Sequence, residues 1–200
     1  MGSVIKKLEN LEDFQKVYKV FSGEPYNEMY TEEELEEIFR EYEEKGYIYG
    51  AFNDDNKCMG LIAITRGQKN EHPVDYPGEK VMYLSDIAVL DEYRRTGLGS
   101  QLIIYGLMES YAMGYSKMYM RTLEKGKSMS YGIANKVGFT QIPGVYQMVD
   151  RTRLDGNVEQ EKNIFLDIDL KNLNREQLQQ EIAKSICGYR KAVQESVLEI

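Results

Sequence analysis

The stretch Val81–Leu102, VMYLSDIAVLDEYRRTGLGSQL, decides the fold. Residues 81–90 form a nearly continuous apolar run, the pattern of a strand covered on both faces. After the loop DEYRRTGLGS comes a helix over about 98–113, with Leu102, Ile103, Tyr105, Gly106 and Met113 facing inward. Between strand and helix stand Arg94, Arg95, Thr96, Gly97, Leu98, Gly99 and Ser100. A loop placed there presents successive backbone N–H groups to an anion, reinforced by the positive end of the helix. Gly97 and Gly99 let the backbone approach a phosphate with no Cβ in the way. Arg94 and Arg95 add fixed positive charge, so the whole suits a pyrophosphate. It is not a dinucleotide fingerprint, since GxGxxG is absent. Gly126-Lys127-Ser128 is no P-loop either, because Arg121 stands where that motif needs glycine.

Outward from this segment the chain alternates strands and helices. Downstream come a strand over 116–123, a short helix over 128–137 stopped by Gly138, and a strand over about 139–149. Asp155-Gly156-Asn157 marks a hairpin turn, after which Ile164, Leu166, Ile168 and Leu170 alternate with polar residues. Upstream, 4–8 reads as a strand and 11–21 as an amphipathic helix burying Phe14, Val17, Tyr18 and Phe21. Thr31 and Glu34 form a capping box for a helix that buries Leu35, Ile38, Phe39 and Tyr42. Its other face is almost all carboxylate, as a solvated helix surface is. Strands at 47–52 and 58–64 follow, then a polar loop over 67–80 that holds the single histidine, His72, expected to be solvated. At the far end Leu178, Ile182, Ile186, Tyr189, Val193 and Val197 form one apolar seam of a helix over 174–198, with Asn174 as its cap. The expected division is a domain over 1–171 and a helical extension over 172–200.

Composition narrows the class. The 200 residues carry 25 Lys+Arg and 33 Asp+Glu, a net charge of −8, with 42% hydrophobic residues. Such an acidic balance counts against nucleic-acid binding, which needs basic patches on the phosphates. The start, MGSVIKKLEN, lacks the apolar run of a signal peptide, and no stretch approaches a membrane span. Lys6 stands where a myristoylation motif at Gly2 needs Ser or Thr. Cys58 and Cys187 make neither a disulfide framework nor a zinc site and read as small buried apolar residues. The expectation is a cytoplasmic protein with no metal, no nucleic-acid partner and no membrane, a monomer or homodimer.

The text IAVLDEYRRTGLGSQL (87–102), with the later helix ending in KVGF (136–139), resembles the GCN5-related N-acetyltransferase (GNAT) superfamily. The specific match covers about 80–140. The resemblance implies an α/β (α+β) fold: a mixed, mostly antiparallel sheet with a splayed parallel strand pair, flanked by helices, here with an added C-terminal amphipathic helix. It implies acetyl-CoA as co-substrate. Ile87, Ala88 and Val89 would then hydrogen-bond the pantetheine arm and cradle the acetyl carbonyl. Arg94 and the residues Arg95, Thr96, Gly97, Leu98, Gly99 and Ser100 would wrap the pyrophosphate.

The chemistry needs an acceptor for the amine's proton and a donor for the leaving thiolate. Many relatives place a Tyr five residues before the Phe of the Gly-Phe pair, and here that position is Ala134. Lys127 stands where many relatives carry Asn. Tyr131, one turn earlier on the same helix, is the catalytic candidate; it reads equally as a packed aromatic in a chain with 16 Tyr. For a base, Asp86 and Glu124 are the nearest carboxylates, and strand alternation would put only one of Ser85 and Asp86 into the slot. The expected activity is acetylation of a primary amine of a small molecule, of polyamine or aminosugar type given the acidic helix. The alternatives are a peptide or protein N-acetyltransferase and a non-catalytic acetyl-CoA-binding module.

Overall fold

The computed structural model describes residues 3–23, 26–67, 72–124 and 128–173, together with 176, 178 and 180. Seven strands form one sheet in the order β1-β2-β3-β4-β5-β7-β6. They are β1 (Val4–Lys7), β2 (Gly46–Phe52), β3 (Cys58–Arg66), β4 (Val81–Val89), β5 (Lys117–Leu123), β6 (Thr140–Thr152) and β7 (Val158–Asp169). Every neighbouring pair is antiparallel except β4 and β5. Among the described residues four named helices flank the sheet: α1 (Leu11–Tyr18), α2 (Glu32–Lys45), α3 (Leu98–Ala112) and α4 (Met129–Lys136). This is the mixed, mostly antiparallel arrangement with one parallel pair that the resemblance implied.

The helices start and stop where local chemistry says. Asn10 caps α1 by accepting from the Asp13 amide, and Thr31 and Glu34 close the capping box of α2. The first helix ends sooner than its periodicity suggested, tightening into a 3-10 turn over Lys19–Ser22. The final hairpin is longer than expected, because β6 runs on to Thr152 and β7 begins at Val158.

The two faces bury separate cores. On one face α3 and α4 cover Ile62, Ile64, Met82, Leu84, Met118, Met120 and Leu166, with Phe139 at the centre. On the other, α1 and α2 press Phe14, Tyr18, Leu35 and Phe39 onto Ile48, Leu61 and Ala88. Gly106 lets α3 sit close on the sheet, since a Cβ there would stand 3.0 Å from the Ile62 Cδ1. Leu178 is buried with the α3 core. The remainder of the helix expected over 174–198, including Asn174 and the rest of its seam, lies outside the described residues.

Candidate active site

Two irregularities in β4 build the site. First, β4 pairs with β3 as Ala63 with Asp86 and then Ile64 with Leu84, so Ser85 is an inserted residue, a β-bulge. The bulge reverses the alternation of the strand. Met82 and Leu84 point into the α3 core before it, and Ile87 and Val89 do so after it. Ser85 and Asp86 both reach the opposite cavity, where simple alternation allowed only one of them. Second, β4 and β5 pair only from Val81 with Lys117 to Leu84 with Met120. Beyond Leu84 the edge of β4 that faces β5 has no ladder partner among the described residues. The backbone of Ile87, Ala88 and Val89 therefore borders an open slot.

The loop before α3 follows directly. Gly97 is the N-cap of α3 with φ +88°, and Arg95 also takes a left-handed backbone with φ +63°. The first helical bond runs from the Gln101 amide to the Gly97 carbonyl at 3.1 Å, so the Leu98, Gly99 and Ser100 amides precede the ladder. Glycine brings no side chain to cap them. A Cβ on Gly99 would stand 3.2 Å from Ile133 Cδ1 and would also touch Ile87 and Val89, so this loop is packed against α4 and β4. Thr96 is buried and its Oγ1 donates to the Tyr93 carbonyl at 2.7 Å, bracing the loop. Arg95 is exposed, whereas Arg94 folds back to Asp91 at 2.9 Å and to the Val89 carbonyl. Bare amides, a helix N-terminus and one outward arginine fit a pyrophosphate-bearing cofactor.

On the far side of the slot lies a cavity of about 300 Å³ between α1, α2 and the ends of β4–β7. Asp86 lines it and accepts hydrogen bonds on Oδ2 from Tyr18 at 2.7 Å and from Tyr42. Burial pushes the Asp86 carboxyl above its usual range, while the two phenols pull it partly back. Glu28 is buried, accepts from the Tyr30 hydroxyl and pairs with Arg151 at 3.3 Å. Arg151 also approaches Glu161 at 3.7 Å. Arg121, Asn163, Ser128 and Ser130 also line it.

His72 is not solvated as its loop suggested. It is partly buried, its ring 4.5 Å from that of Tyr83, and Nδ1 lies 2.9 Å from the Tyr119 hydroxyl. Burial and the nearby Arg121 charge lower its pKa to about 4. Glu124, the other carboxylate considered as a base, pairs with Lys162 at 2.9 Å and does not line the cavity. Tyr131 is partly buried against the α3 core, while its neighbour Ser130 faces the cavity and meets Thr122 Oγ1 at 2.7 Å. Ala134 is fully buried. Lys127 lies outside the described residues. Of the acidic helix surface only Glu41 lines the cavity; Glu32, Glu33 and Glu37 face solvent. Cys58 is buried, as its apolar neighbours suggested, and burial raises its thiol pKa to about 11. Among the described residues no group of three His, Cys, Asp or Glu side chains is placed to hold a metal ion, and no helix is long and apolar enough to cross a membrane.

Sequence reading missed Tyr18 and Tyr42 as site residues. Their helical spacing marked them as core, which they are, but nothing local showed that both hydroxyls end on one carboxylate.

The slot beyond Leu84 and the bare amides at the start of α3 lie side by side on β4, with room for an extended ligand that carries an anion. Residues 11–139 match the model of the acetyltransferase (GNAT) family, so the chain belongs to that family and is an acyltransferase by class. Enzymes of the family use acetyl-CoA. No curated protein matches the sequence. Similar solved structures include an N-acetyltransferase from Staphylococcus aureus Mu50, at 16% identity and a TM-score of 0.61 over 85% of this chain and 99% of that one. The ribosomal-protein-S18-alanine N-acetyltransferase from Escherichia coli is similar at 15% identity and a TM-score of 0.61, over 84% of this chain and 94% of that one. A chain of the NatC complex bound to Gag peptide and CoA is similar at 17% identity and a TM-score of 0.60, over 84% and 99% of the two chains.

Proposed function

We propose that the protein transfers an acetyl group from acetyl-CoA to a primary amine of a small molecule bound in the cavity of Asp86. The observation that carries this reading is that Asp86 stands at the junction of the β4–β5 slot and that cavity, on the bulge beside Ile87. Bound at the slot, acetyl-CoA supplies an acetyl thioester whose C–S bond breaks as the acceptor's C–N bond forms. The Leu98, Gly99 and Ser100 amides, with Gly97 and Arg95, hold its pyrophosphate; Thr96 and Arg94 shape the loop that presents them. The free backbone edge of Ile87, Ala88 and Val89 receives the pantetheine amides.

Asp86 takes the proton of the incoming ammonium. Its raised carboxyl is a better match to an amine's proton than an exposed carboxylate is. Tyr18 and Tyr42 orient the carboxylate and keep it hydrogen-bonded after the transfer. Tyr131 donates to the departing sulfur. Positioning two reactants side by side supplies the larger share of the acceleration.

A cavity of about 300 Å³ that opens partly to solvent has room for a small acceptor. Of the α2 carboxylates only Glu41 reaches the cavity, so α2 offers a polyamine or an aminosugar one carboxylate there. The test is CoA release from acetyl-CoA across a panel of polyamines, aminosugars, amino acids and basic peptides. Turnover confined to peptides would favour a protein N-acetyltransferase. Cofactor binding with no turnover of any amine would favour a binding module.

A further inference from the structure

The cavity of Asp86 carries, on neighbouring strands, a carboxylate and a guanidinium without ion-pair partners among the described residues: Asp86 on β4 and Arg121 on β5. Its Glu41 pairs with Lys45. On the α1–α2 side is Asp86, held by two phenols and with no Lys, Arg or His within ion-pair distance among the described residues. On the β5–β7 side is Arg121, which makes no ion pair among the described residues. Its Nη1 donates only to Gln147 Oε1 at 3.3 Å. Arg151, the other guanidinium of the cavity, is already offset by Glu28 and Glu161. His72, beside Arg121, has its pKa lowered to about 4 and adds no second cation at neutral pH.

A second observation sits next to Arg121. Asn163 is only 3% exposed, lines the cavity, and its Nδ2 has no hydrogen-bond partner. The register explains the placement: Asn163 lies opposite Gln147 on β6 and Leu123 on β5, so it adjoins the residue that Arg121 reaches. A buried amide donor left without a partner is a cost that an acceptor group of a ligand removes. Guanidinium and amide N–H together form a donor pair suited to a planar anion.

We infer that the acceptor is an aminocarboxylate: its ammonium docks on Asp86 and its carboxylate on Arg121 and Asn163. The inference rests on the acetyltransferase reading above and deepens it. A polyamine would bring a second cation against Arg121, and an aminosugar would leave that guanidinium without an anion. Both are selected against by the same wall that selects the carboxylate.

A matched panel tests this: α-amino acids and ω-amino acids of increasing length, each beside its carboxamide, with spermidine and glucosamine as carboxylate-free amines. CoA release and thermal stabilisation are measured for each. The expected result is an aminocarboxylate with kcat/KM at least tenfold above that of its carboxamide, which also raises Tm. Arg121→Gln should bring that ratio close to one through KM, and Arg121→Lys should restore part of it. Asn163→Asp, similar in size but anionic, should depress the aminocarboxylate below its carboxamide. Carboxamides or carboxylate-free amines that equal the carboxylates, or a ratio untouched in Arg121→Gln, would overturn the inference. The transferase reading fails separately, by absence of CoA release with every amine of the panel. The aminocarboxylate's own effect on Tm and its loss in Arg121→Gln are read without turnover.

Discussion

Tyr18 Oη donates to Asp86 Oδ2 at 2.7 Å across 68 residues of sequence. Tyr42 donates to the same oxygen from the next helix. One carboxylate therefore ties α1 and α2 to the bulge in β4, so the group that would move the proton also fixes the walls around it.

Asp86→Asn separates those two jobs. The amide still accepts from both phenols but takes no proton, so kcat/KM should fall by roughly 10²–10⁴. In the wild type kcat/KM should rise with pH through a pKa above the usual carboxylate range, and that limb should vanish in the variant. Stability should move the other way. A carboxyl raised by burial contributes stability below its unfolded pKa and loses it as pH rises through the folded one. At neutral pH Asp86→Asn should therefore equal or exceed the wild type in Tm, and a large drop would mean that the charge itself holds the helices.

The cradle is tested at its glycines. Gly97 sits at φ +88°, where any Cβ costs roughly 1–2 kcal/mol. A side chain at Gly99 would push on Ile133 from 3.2 Å. Acetyl-CoA at a hundred times its Kd should stabilise the wild type by roughly 2.7 kcal/mol. Gly97→Val and Gly99→Val should abolish that gain, read as the loss of the ligand-induced shift in Tm. A wild type unmoved by millimolar acetyl-CoA would remove the cofactor assignment.

Tyr131→Phe should lower kcat roughly 10–100-fold with acetyl-CoA binding nearly unchanged, the weak end of general-acid effects. Tyr131 shares α4 with Ala134, which cannot donate a proton. Wild-type kcat in the Phe variant, measured with a confirmed acceptor, would assign the donation to another hydroxyl or to water and leave Tyr131 as packing.

His72 gives a pH signature of folding. Its pKa of about 4 lies below the unfolded value near 6.5, so the unfolded chain binds the proton more readily. Its contribution is present above about pH 6.5 and is lost as pH falls towards 4, on the order of 1 kcal/mol after allowance for its partial exposure. His72→Gln should flatten that part of the Tm–pH curve relative to wild type. Parallel curves for the two proteins between pH 4 and 6.5 would show that the loop releases the ring without cost.

Leu178 is 5% exposed within the α3 core. Truncation before residue 172 removes Leu173 and Leu178 from that cluster, and burying one such side chain is worth roughly 1.5–3 kcal/mol. We expect the truncated protein to aggregate or to melt several degrees lower, checked by calorimetry and size-exclusion chromatography. A soluble, equally stable truncate would make residues 172–200 a dispensable appendage.

The cradle was legible from local chain chemistry alone. Arg94–Ser100 lies between an unbroken apolar run and a helical period, and the two glycines at 97 and 99 mark where backbone must stand bare; φ, capping and amide direction are properties of neighbours in sequence. The order of strands and helices was legible for the same reason, since periods of two and of 3.6 are written residue by residue. The cavity of Asp86 was not. The inserted Ser85 leaves no trace in VMYLSDIAVL, because a bulge exists only against its partner strand, and it is this bulge that turns both Ser85 and Asp86 to one face. Tyr18, Tyr42, Arg121 and Asn163 come from four elements and meet only once the sheet order and the pairing of β5 with β7 and of β7 with β6 are set. His72 follows the same rule: its loop is polar in sequence, and only the aromatic surface of Tyr83, Tyr119 and Phe165 assembled across three strands supplies somewhere to bury it.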